Sequence, residues 1–454
     1  MELPVAIQQA LDTMSPGMAL GDAAVSGAND AVRMVLLSDD QGQVQAICRH
    51  LDLLDIAALN KQLGRDLRLL PLKQQAQLRE RLGLPVLPAL PALTGWPTFV
   101  DSAVDQLETV SLHLDGQATG LTLNGADFRA LTDDAQRRSF CVPCADIAVN
   151  INQPEKDLYQ LNSALKRFTG LRIQQRLNDT LELPPLPETA QRIIHLRVNP
   201  NAVMGDLVDI VESDPSLAAQ VVSWASSSFY AAAGQVRSVH DAVSRVLGFD
   251  LVMNLAMGLA LGRTLKQPED QPEGFVGYWQ QAIWQAQSGG ILASMMPRGK
   301  RPAFGLAYLA GLLHNFGYLV LAQVFPPHFQ LACRSWEVNA HEDTAMVEQF
   351  LLGITREQIG AQLMSNWGMP EEINVALRHQ KNPGYDGEFE VYAKLLWLGR
   401  QLLTARGIPL GVSETIPDAL FDTLGLDRVQ VEAQFDELVE SKDSIMAMAG
   451  MMQP

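Results

Sequence analysis

The sequence has little positive charge for its length. Its 454 residues include 34 Lys and Arg against 51 Asp and Glu, so the formal net charge is −17. An acidic surface repels phosphate backbones at long range, and no Lys/Arg cluster interrupts the excess of acid. This balance argues against non-specific nucleic-acid binding, and we expect no nucleic-acid partner.

The chain also has few cysteines: Cys48, Cys141, Cys144 and Cys333. Cys141 and Cys144 form a single Cys-x-x-Cys motif with no second pair and no nearby His cluster. A zinc site would need two more ligands, and a redox pair usually follows a strand of a thioredoxin-like unit. We interpret Cys141 and Cys144 as reduced thiols in a connector, because nothing else indicates an oxidising compartment.

A targeting or membrane-spanning segment is not expected either. The N-terminus lacks a basic segment followed by an apolar run, which a signal peptide requires. The stretch 303–324 has roughly the length of a membrane span, but His314, Asn315 and Gln323 interrupt it. The sequence therefore predicts a buried core helix there, no membrane partner and a cytoplasmic location.

Residues 1–135 have a mixed α/β pattern. Two β-rich runs, 31–38 and 43–48, flank the turn residues 39–42, which predicts a hairpin. The other predicted elements are helices at 54–63 and 72–82 and strands at 109–114 and 120–124, the last two joined by a turn at Asp115-Gly116. We expect a connector over 136–175, ending in an amphipathic helix over 155–168.

Beyond residue 176 the pattern is almost entirely helical. Asp214-Pro215 and Ser238 predict helix starts, since Asp and Ser cap free amides and Pro suits the first helical position. His240-Asp241 is the only literal His-Asp pair, but capping accounts for Asp241, so no metal role is expected there. Helical patterns continue through 401–454, which we expect to complete the helical domain.

Several segments of this region resemble the HDOD domain, the HD-related output domain of bacterial signalling proteins. They are Leu183-Pro-Pro-Leu-Pro187, Ile210-Val-Glu-Ser-Asp-Pro-Ser-Leu217, the helix at 238–248, Leu309-Ala-Gly-Leu-Leu-His-Asn-Phe-Gly317, and Trp367-Gly-Met-Pro370 followed by His379. The resemblance implies an all-α, HD-like fold over 176–400 and a role in signalling.

The resemblance also implies where a metal site would lie. HD hydrolases hold a metal with several His and Asp ligands, and the metal lowers the pKa of its bound water. The residues at the matching positions here are Gln281, His314, Asn315, Arg356, His379 and Gly399. Asn315 replaces a charged Asp with a poor ligand for divalent ions, and the cation of Arg356 would oppose a metal.

We therefore predict a degenerate site without metal or cofactor. His314 is expected to be a hydrogen-bonded core histidine, and Asn315 part of a buried polar network. A small-molecule pocket lined by the same residues is the alternative, and the sequence identifies no ligand for it.

Residues 1–135 resemble, more weakly, the YbaK-like domain of aminoacyl-tRNA editing deacylases. The likeness lies in Asp30-Ala-Val-Arg-Met-Val-Leu-Leu37, in the order of the elements that follow, and in Val100-Asp101. Arg33 stands where the family has a functionally important Lys, and its planar head makes the exchange non-conservative. The same residues contain 9 Lys and Arg against 17 Asp and Glu, a balance of −8 that opposes tRNA binding.

Two altered sites favour a binding role over catalysis. We predict a non-enzymatic signalling or regulatory protein whose partners are other signalling proteins. Its helical domain would be an interaction or output module, and its N-terminal domain a sensor of a ligand or partner. Two alternatives remain: an editing deacylase acting on mischarged tRNA through the N-terminal domain, and a metal-dependent phosphohydrolase acting through the helical domain.

Overall fold

A computed structural model describes residues 4–12, 21–24, 29–114, 119–168, 186–230 and 235–452. The predicted turn at Asp115-Gly116 and residues 183–185 of the proline-rich motif lie outside these ranges. The chain divides into two compact units. The N-terminal unit comprises Met1–Ala148, Pro272–Gly274 and Gln330–Val347, and the helical unit comprises Val149–Gln271, Phe275–Phe329 and Glu348–Pro454.

The N-terminal unit is built on a mixed sheet. Within the described ranges this sheet has eight strands in the order β1-β8-β7-β2-β3-β6-β9, with β5 paired to β2, while β10 pairs separately with β4. The strands are β1 (Gly21–Ala24), β2 (Ala31–Asp39), β3 (Gly42–Arg49), β4 (Asp52–Leu54), β5 (Arg68–Leu69), β6 (Thr98–Asp101), β7 (Thr109–His113), β8 (Thr119–Asn124), β9 (Gln136–Arg138) and β10 (Cys141–Pro143).

The predicted hairpin forms the middle of this sheet. Strands β2 and β3 pair antiparallel from Val32 opposite Arg49 to Asp39 opposite Gly42. Gly42 has φ 125°, which an L side chain rarely adopts, and the Asp39 carboxylate accepts a hydrogen bond from the amide of Gln41 (2.8 Å). The turn residues therefore set the register of both central strands.

Side chains alternate along β3 between two apolar clusters. Ile47 lies in a cluster with Val100 and Phe128, whereas its neighbour Cys48 lies in another with Leu59. Successive residues of a strand point to opposite faces, so each face of the sheet carries its own core. The helices of this part of the chain are α1 (Val5–Asp12), α2 (Ile56–Leu63), α3 (Leu72–Leu82) and α4 (Gly125–Leu131).

The start of the predicted connector is part of the N-terminal unit. Strand β9 pairs parallel with β6, and β10 pairs antiparallel with β4. Three-residue strands are too short to show a period of two in a sequence, so the pattern over 136–143 could not reveal them. The predicted amphipathic helix is present as α5 (Asp157–Phe168), and it begins the helical unit after residue 148.

The remaining helices are mainly those of the helical unit. They are α6 (Glu188–Val198), α7 (Met204–Glu212), α8 (Pro215–Ala225), α9 (Val239–Asp241), α10 (Phe249–Gly262), α11 (Tyr278–Met295), α12 (Phe304–Leu313), α13 (Phe316–Val324), α14 (Pro326–Val338), α15 (Thr344–Leu352), α16 (Arg356–Asn366), α17 (Glu371–His379), α18 (Glu390–Thr404), α19 (Asp418–Leu424), α20 (Arg428–Glu440) and α21 (Lys442–Met451). Helices α14 and α15 cross the division, since residues 330–347 belong to the N-terminal unit.

Both predicted helix starts are confirmed. The Asp214 carboxylate accepts hydrogen bonds from the amides of Ser216 and Leu217, and Ser238 accepts from the amide of Asp241. After α9 the helix continues over 242–247 with π geometry, and Gly248 ends it with φ 81°. The sequence predicted the cap at Ser238 but not the change of helical pitch.

The apolar stretch at 303–324 forms two helices, α12 and α13, separated at His314 and Asn315. Among the described residues, 304–324 is the one stretch long and apolar enough to cross a membrane, and 89% of its apolar window is buried inside the protein. The prediction of a buried core segment agrees with this burial, whereas a single continuous helix was wrong. The two polar residues at the break form hydrogen bonds, His314 with Gly311 and Asn315 with Gln281 and Arg356.

Candidate functional site

The break between α12 and α13 positions the His-Asn pair. His314 follows the end of α12, and its Nδ1 lies 2.7 Å from the carbonyl oxygen of Gly311. Gly311 allows this close packing, because a Cβ there would lie 2.4 Å from the carbonyl oxygen of Gln285 on α11. Burial lowers the pKa of His314 to about 4, and the nearby Arg400 and Arg356 cations act in the same direction. His314 is therefore a neutral ring bonded to its own helix.

Asn315 joins Gln281 to Arg356 in one hydrogen-bonded chain. Its Nδ2 donates to Oε1 of Gln281 (3.1 Å), and its Oδ1 accepts from Nη1 of Arg356 (3.1 Å). Gln281 in turn donates to the carbonyl of Val276 (2.6 Å). Three residues predicted to occupy ligand positions are thus brought together, and they bond to one another through uncharged amides and a guanidinium.

Glu348 supplies the anion for this network, and sequence reasoning missed it. Its carboxylate is fully buried and accepts from Nε (2.5 Å) and from the backbone amide (2.7 Å) of Arg356. It comes from α15, eight residues before its partner, and also caps the first turn of α16. A single acid among the apolar residues of α15 was the available signal, because a buried carboxylate requires a buried cation or donors.

The Arg356 guanidinium occupies the centre of the site. Its side chain is 9% exposed, and it lies 5.3 Å from the ring centre of Tyr318. Burial acts to lower the pKa of Arg356, but Glu348 and Glu357 outweigh it and raise the pKa. Burial raises the pKa of the Glu348 carboxyl, and the charge of Arg356 opposes that effect. The two charges neutralise each other within the protein.

The other two predicted positions have different partners. The His379 ring stacks on Tyr385, with centroids 3.9 Å apart and planes within 9°. Burial, with Arg378 nearby, lowers the pKa of His379 to about 4. Gly399 permits close contact between α18 and α11, since a Cβ there would lie 2.4 Å from Oγ of Ser288.

Within the part of the chain that the structure describes, no group of three or more His, Cys, Asp or Glu side chains is placed to share a metal ion. What the site does contain is a hydrogen-bonded network of Gln281, Asn315, Arg356 and Glu348. Gln380 completes it by donating to the backbone carbonyl of His314 (2.7 Å). Such an arrangement stabilises the crossing of α13 with α16.

Arg33, the candidate of the N-terminal unit, is also engaged by internal acceptors. Its Nη1 donates to the carbonyl of Val338 (2.9 Å), and its Nη2 donates to Oδ1 of Asn339 (2.8 Å) and to the carbonyl of Asp52 (3.2 Å). Asn339 is fixed in turn, because its carboxamide exchanges two hydrogen bonds with the backbone of Leu54 (2.8 and 3.0 Å). No local sequence pattern could reveal partners about three hundred residues away.

Three histidine rings lie near Arg33. The centroid of His50 is 4.9 Å from that of His341 and 5.6 Å from that of His113. Nε2 of His341 lies 2.8 Å from the carbonyl oxygen of His50. Burial lowers the pKa of His50 and that of His341, the latter to about 2, and the Arg33 cation adds to both effects. Burial and the Arg33 cation therefore favour the neutral form of both rings.

The comparisons with known proteins define the class of the chain. The family model of the HDOD domain matches residues 183–383. A crystal structure from Marinobacter aquaeolei VT8, named as a putative signal transduction protein, is 69% identical with a TM-score of 0.93 and covers 99% of this chain and 100% of its own. The chain therefore belongs to the HDOD domain family, as the sequence motifs predicted.

Two further matches cover only parts of the chain. A protein of Treponema pallidum (strain Nichols), named as uncharacterized, is 24% identical over 215 residues, which are 46% of this chain and only 39% of that relative's own length. The structure named as a putative trans-editing enzyme for prolyl tRNA synthetase matches the N-terminal region with 19% identity and a TM-score of 0.25, covering 30% of this chain and 94% of its own.

The predicted fold class is confirmed: a mixed α/β N-terminal region and a larger all-α HDOD region. The proposed domain limits at 135, 175 and 400 stay predictions. The division into compact units differs from them by placing 136–148 and 330–347 in the N-terminal unit.

Proposed function

We propose that this protein is a non-enzymatic cytoplasmic signalling module whose HDOD region binds other signalling proteins. In its helical unit a buried Arg356–Glu348 ion pair takes the place of the metal centre of HD hydrolases. One observation carries the proposal: the Arg356 guanidinium donates to Asn315, at the position of the metal-binding Asp, and is itself neutralised by Glu348. The 69%-identical structure named for signal transduction supports the role in signalling.

Electrostatics supports the absence of metal chemistry. A divalent ion about 4 Å from a guanidinium is repelled by roughly 8 kcal/mol at an effective dielectric constant of about 20. The charge of Glu348 offsets part of this repulsion, but two hydrogen bonds from Arg356 occupy its oxygens, so it is not free to act as a metal ligand. Asn315 contributes no charge. A metal could bind only if the Arg356 side chain left the site, and its departure would leave the buried Glu348 carboxylate without its counter-ion.

A phosphohydrolase assay tests the proposal. Wild-type protein and Asn315→Asp would be incubated with cyclic and linear dinucleotides and with bis(p-nitrophenyl) phosphate, each with Mn²⁺ or Fe²⁺. We expect both proteins to match the rate of metal in buffer, because Arg356 still opposes the ion when one carboxylate is restored. Metal-dependent turnover that His314→Ala abolishes, and that the exposed control His240→Ala keeps, would overturn the proposal.

For the N-terminal unit we propose a ligand-sensing or partner-sensing role without deacylase activity. Its support is that both Nη atoms of Arg33 are engaged by the protein's own acceptors. With a panel of mischarged tRNAs we expect no deacylation above the spontaneous rate. The matched pair is Arg33→Ala and Arg68→Ala, the latter an exposed arginine of β5. Deacylation by the wild type that only Arg33→Ala loses would establish the enzyme instead.

A further inference from the structure

Cys141 lies beside a cysteine from a distant part of the sequence. Cys48, on β3, is completely buried in the apolar cluster that also contains Leu54 and Phe140. Cys141, on β10, packs against that same cluster and remains partly exposed. The backbone amide of Cys141 donates to the Asp101 carboxylate (2.9 Å), on the strand β6 that pairs with β3, so the two thiols lie close enough to interact. Cys48 is therefore a candidate disulfide partner for Cys141, in addition to Cys144 of the Cys-x-x-Cys motif.

Cys144 has different surroundings. Its thiol hydrogen-bonds to Glu342, and burial together with the charge of Glu342 raises its pKa to about 12. In the Cys48–Cys141 pair, interaction with the Cys141 thiol and the cation of Arg33 lower the pKa of Cys48. Burial raises the pKa of Cys141. Arg33 is the direct antiparallel partner of Cys48, which explains its influence.

We propose that Cys48 and Cys141 are the site of a reversible intramolecular disulfide that forms in response to hydroperoxides. Cys141 is the partly exposed member of the pair, so peroxide reaches it first. Once ionised, its thiolate attacks one oxygen of hydrogen peroxide and breaks the O–O bond, which gives a sulfenic acid and a hydroxide that leaves as water after taking up a proton. The Cys48 thiolate then attacks that sulfur, forming the S–S bond, and the hydroxyl leaves as water after taking up a proton. In sum, one hydrogen peroxide is reduced to two water molecules and two thiols are oxidised.

The bond would fasten β10 to the central sheet next to the Arg33 network. Strand β10 pairs with β4, whose Leu54 and Asp52 backbone groups hold Asn339 and Arg33. Oxidation would therefore constrain the strand that pairs with β4, and β4 supplies backbone acceptors to Arg33 and Asn339. The proposal does not depend on the function assigned to the HDOD region.

Peptide mapping tests the site. Full-length protein would be treated with hydrogen peroxide, free thiols would be blocked with N-ethylmaleimide, and tryptic peptides would be analysed without reduction. We expect a cross-linked species joining the Cys48 and Cys141 peptides, which dithiothreitol releases. Cys48→Ser and Cys141→Ser should abolish it, and Cys144→Ser and Cys333→Ser should leave it unchanged. The yield should rise from neutral pH to about pH 9, because Cys141 must ionise to react.

The peptide map of the wild-type protein alone shows which cysteines form the disulfide, so the test does not depend on any variant folding. A Cys141–Cys144 disulfide, or Cys141 oxidised to sulfinic acid with no cross-link, would overturn the proposal. As a second measurement, oxidised wild type and oxidised Cys144→Ser should both melt several degrees higher than when reduced, because the bond closes a long loop of the unfolded chain. An unchanged melting temperature in both would contradict the fastening of β10.

Discussion

Arg356 illustrates why a buried charge must be read together with its partner. The sequence motif placed Arg356 where a His ligand is expected, and the structure adds Glu348 and Asn315 as its acceptors. The motif could identify one half of the pair only, because Glu348 lies in a different helix and outside every HDOD-like segment. An arginine that seemed merely incompatible with a metal is the organising residue of the site.

Glu348→Gln should destabilise the protein strongly. It leaves the Arg356 cation buried without its counter-ion, for which we expect a loss of about 3–5 kcal/mol in the free energy of unfolding. Arg356→Met should cost a similar amount, and the double variant less than the sum, because neither charge then remains unpaired. Urea denaturation gives all three values. Glu440→Gln, an exposed glutamate, is the control and should change stability by less than about 0.5 kcal/mol. Additive single effects would contradict the pairing.

His314 should make stability fall at mildly acidic pH. Its pKa is lowered from 6.5 to about 4 in the folded protein, so between these values only the unfolded chain takes up the proton. The contribution of His314 to the free energy of unfolding is therefore fully present above pH 6.5. It decreases toward pH 4, by up to about 3 kcal/mol. His379 acts in the same direction. Urea denaturation at several pH values would compare the wild type, His314→Gln and the exposed control His240→Gln. The free energy of unfolding should depend less steeply on pH in His314→Gln alone.

Glycines determine how closely the helices approach at the element scale. A Cβ on Gly317 of α13 would lie 1.9 Å from the carbonyl oxygen of Arg356 at the start of α16. Gly311 has the same function between α12 and α11. The two glycines flank His314 and Asn315, so the stretch that carries the HDOD resemblance also allows α12 to approach α11 and α13 to approach α16 closely.

Gly317→Ala should therefore lower the free energy of unfolding by about 2–3 kcal/mol, since backbone atoms must move apart. The control is Gly205→Ala, at an exposed glycine inside α7 where an added Cβ meets nothing within 4 Å. That change should stabilise by about 0.5–1 kcal/mol, because Ala is the better helix former. Thermal and urea denaturation would measure both. Equal effects of the two substitutions would show that the close approach is absent.

Helix α5 is attached to the rest of the helical unit through Asp157. This carboxylate is buried, pairs with Arg378 through both oxygens, and also accepts from Gln358 (2.7 Å) and Asn150 (3.0 Å). Asp157→Asn should cost about 3 kcal/mol and increase hydrogen exchange over α5, because Arg378 loses its counter-ion. The exposed neighbour Glu155→Gln should leave exchange unchanged. Unaltered protection of α5 in Asp157→Asn would contradict this attachment.

The elements that sequence patterns predicted are those with local causes. The β2–β3 hairpin follows from the residues of its own turn, and the starts of α8 and α9 follow from single capping residues. Strands β9 and β10 were not predicted, because pairing with distant strands produces them. The π geometry after α9 was not predicted either. The same distinction separates the residues of the site: motif spacing identified Asn315 and Arg356, whereas only the fold brings Glu348 to them.

At the scale of the whole molecule, the family assignment followed from motif order and the unit boundaries did not. The HDOD match over 183–383 agrees with the predicted resemblance. The assignment of 330–347 to the N-terminal unit depends on contacts such as those of Arg33 with Val338 and Asn339. No change of composition along the sequence indicates these contacts. The acidic net charge of −17 fits protein partners better than phosphate-rich ones.

The central claim is that the HDOD region works without a metal. The most direct measurement is elemental analysis of protein purified without chelators, before and after equilibration with Mn²⁺, Fe²⁺ and Zn²⁺ and removal of free ions. With Arg356 and Glu348 paired inside the site, we predict far less than one ion per chain. One or two tightly held ions per chain, lost in His314→Ala and retained in His240→Ala, would contradict the claim. That result would favour the alternative that the protein is a metal-dependent phosphohydrolase.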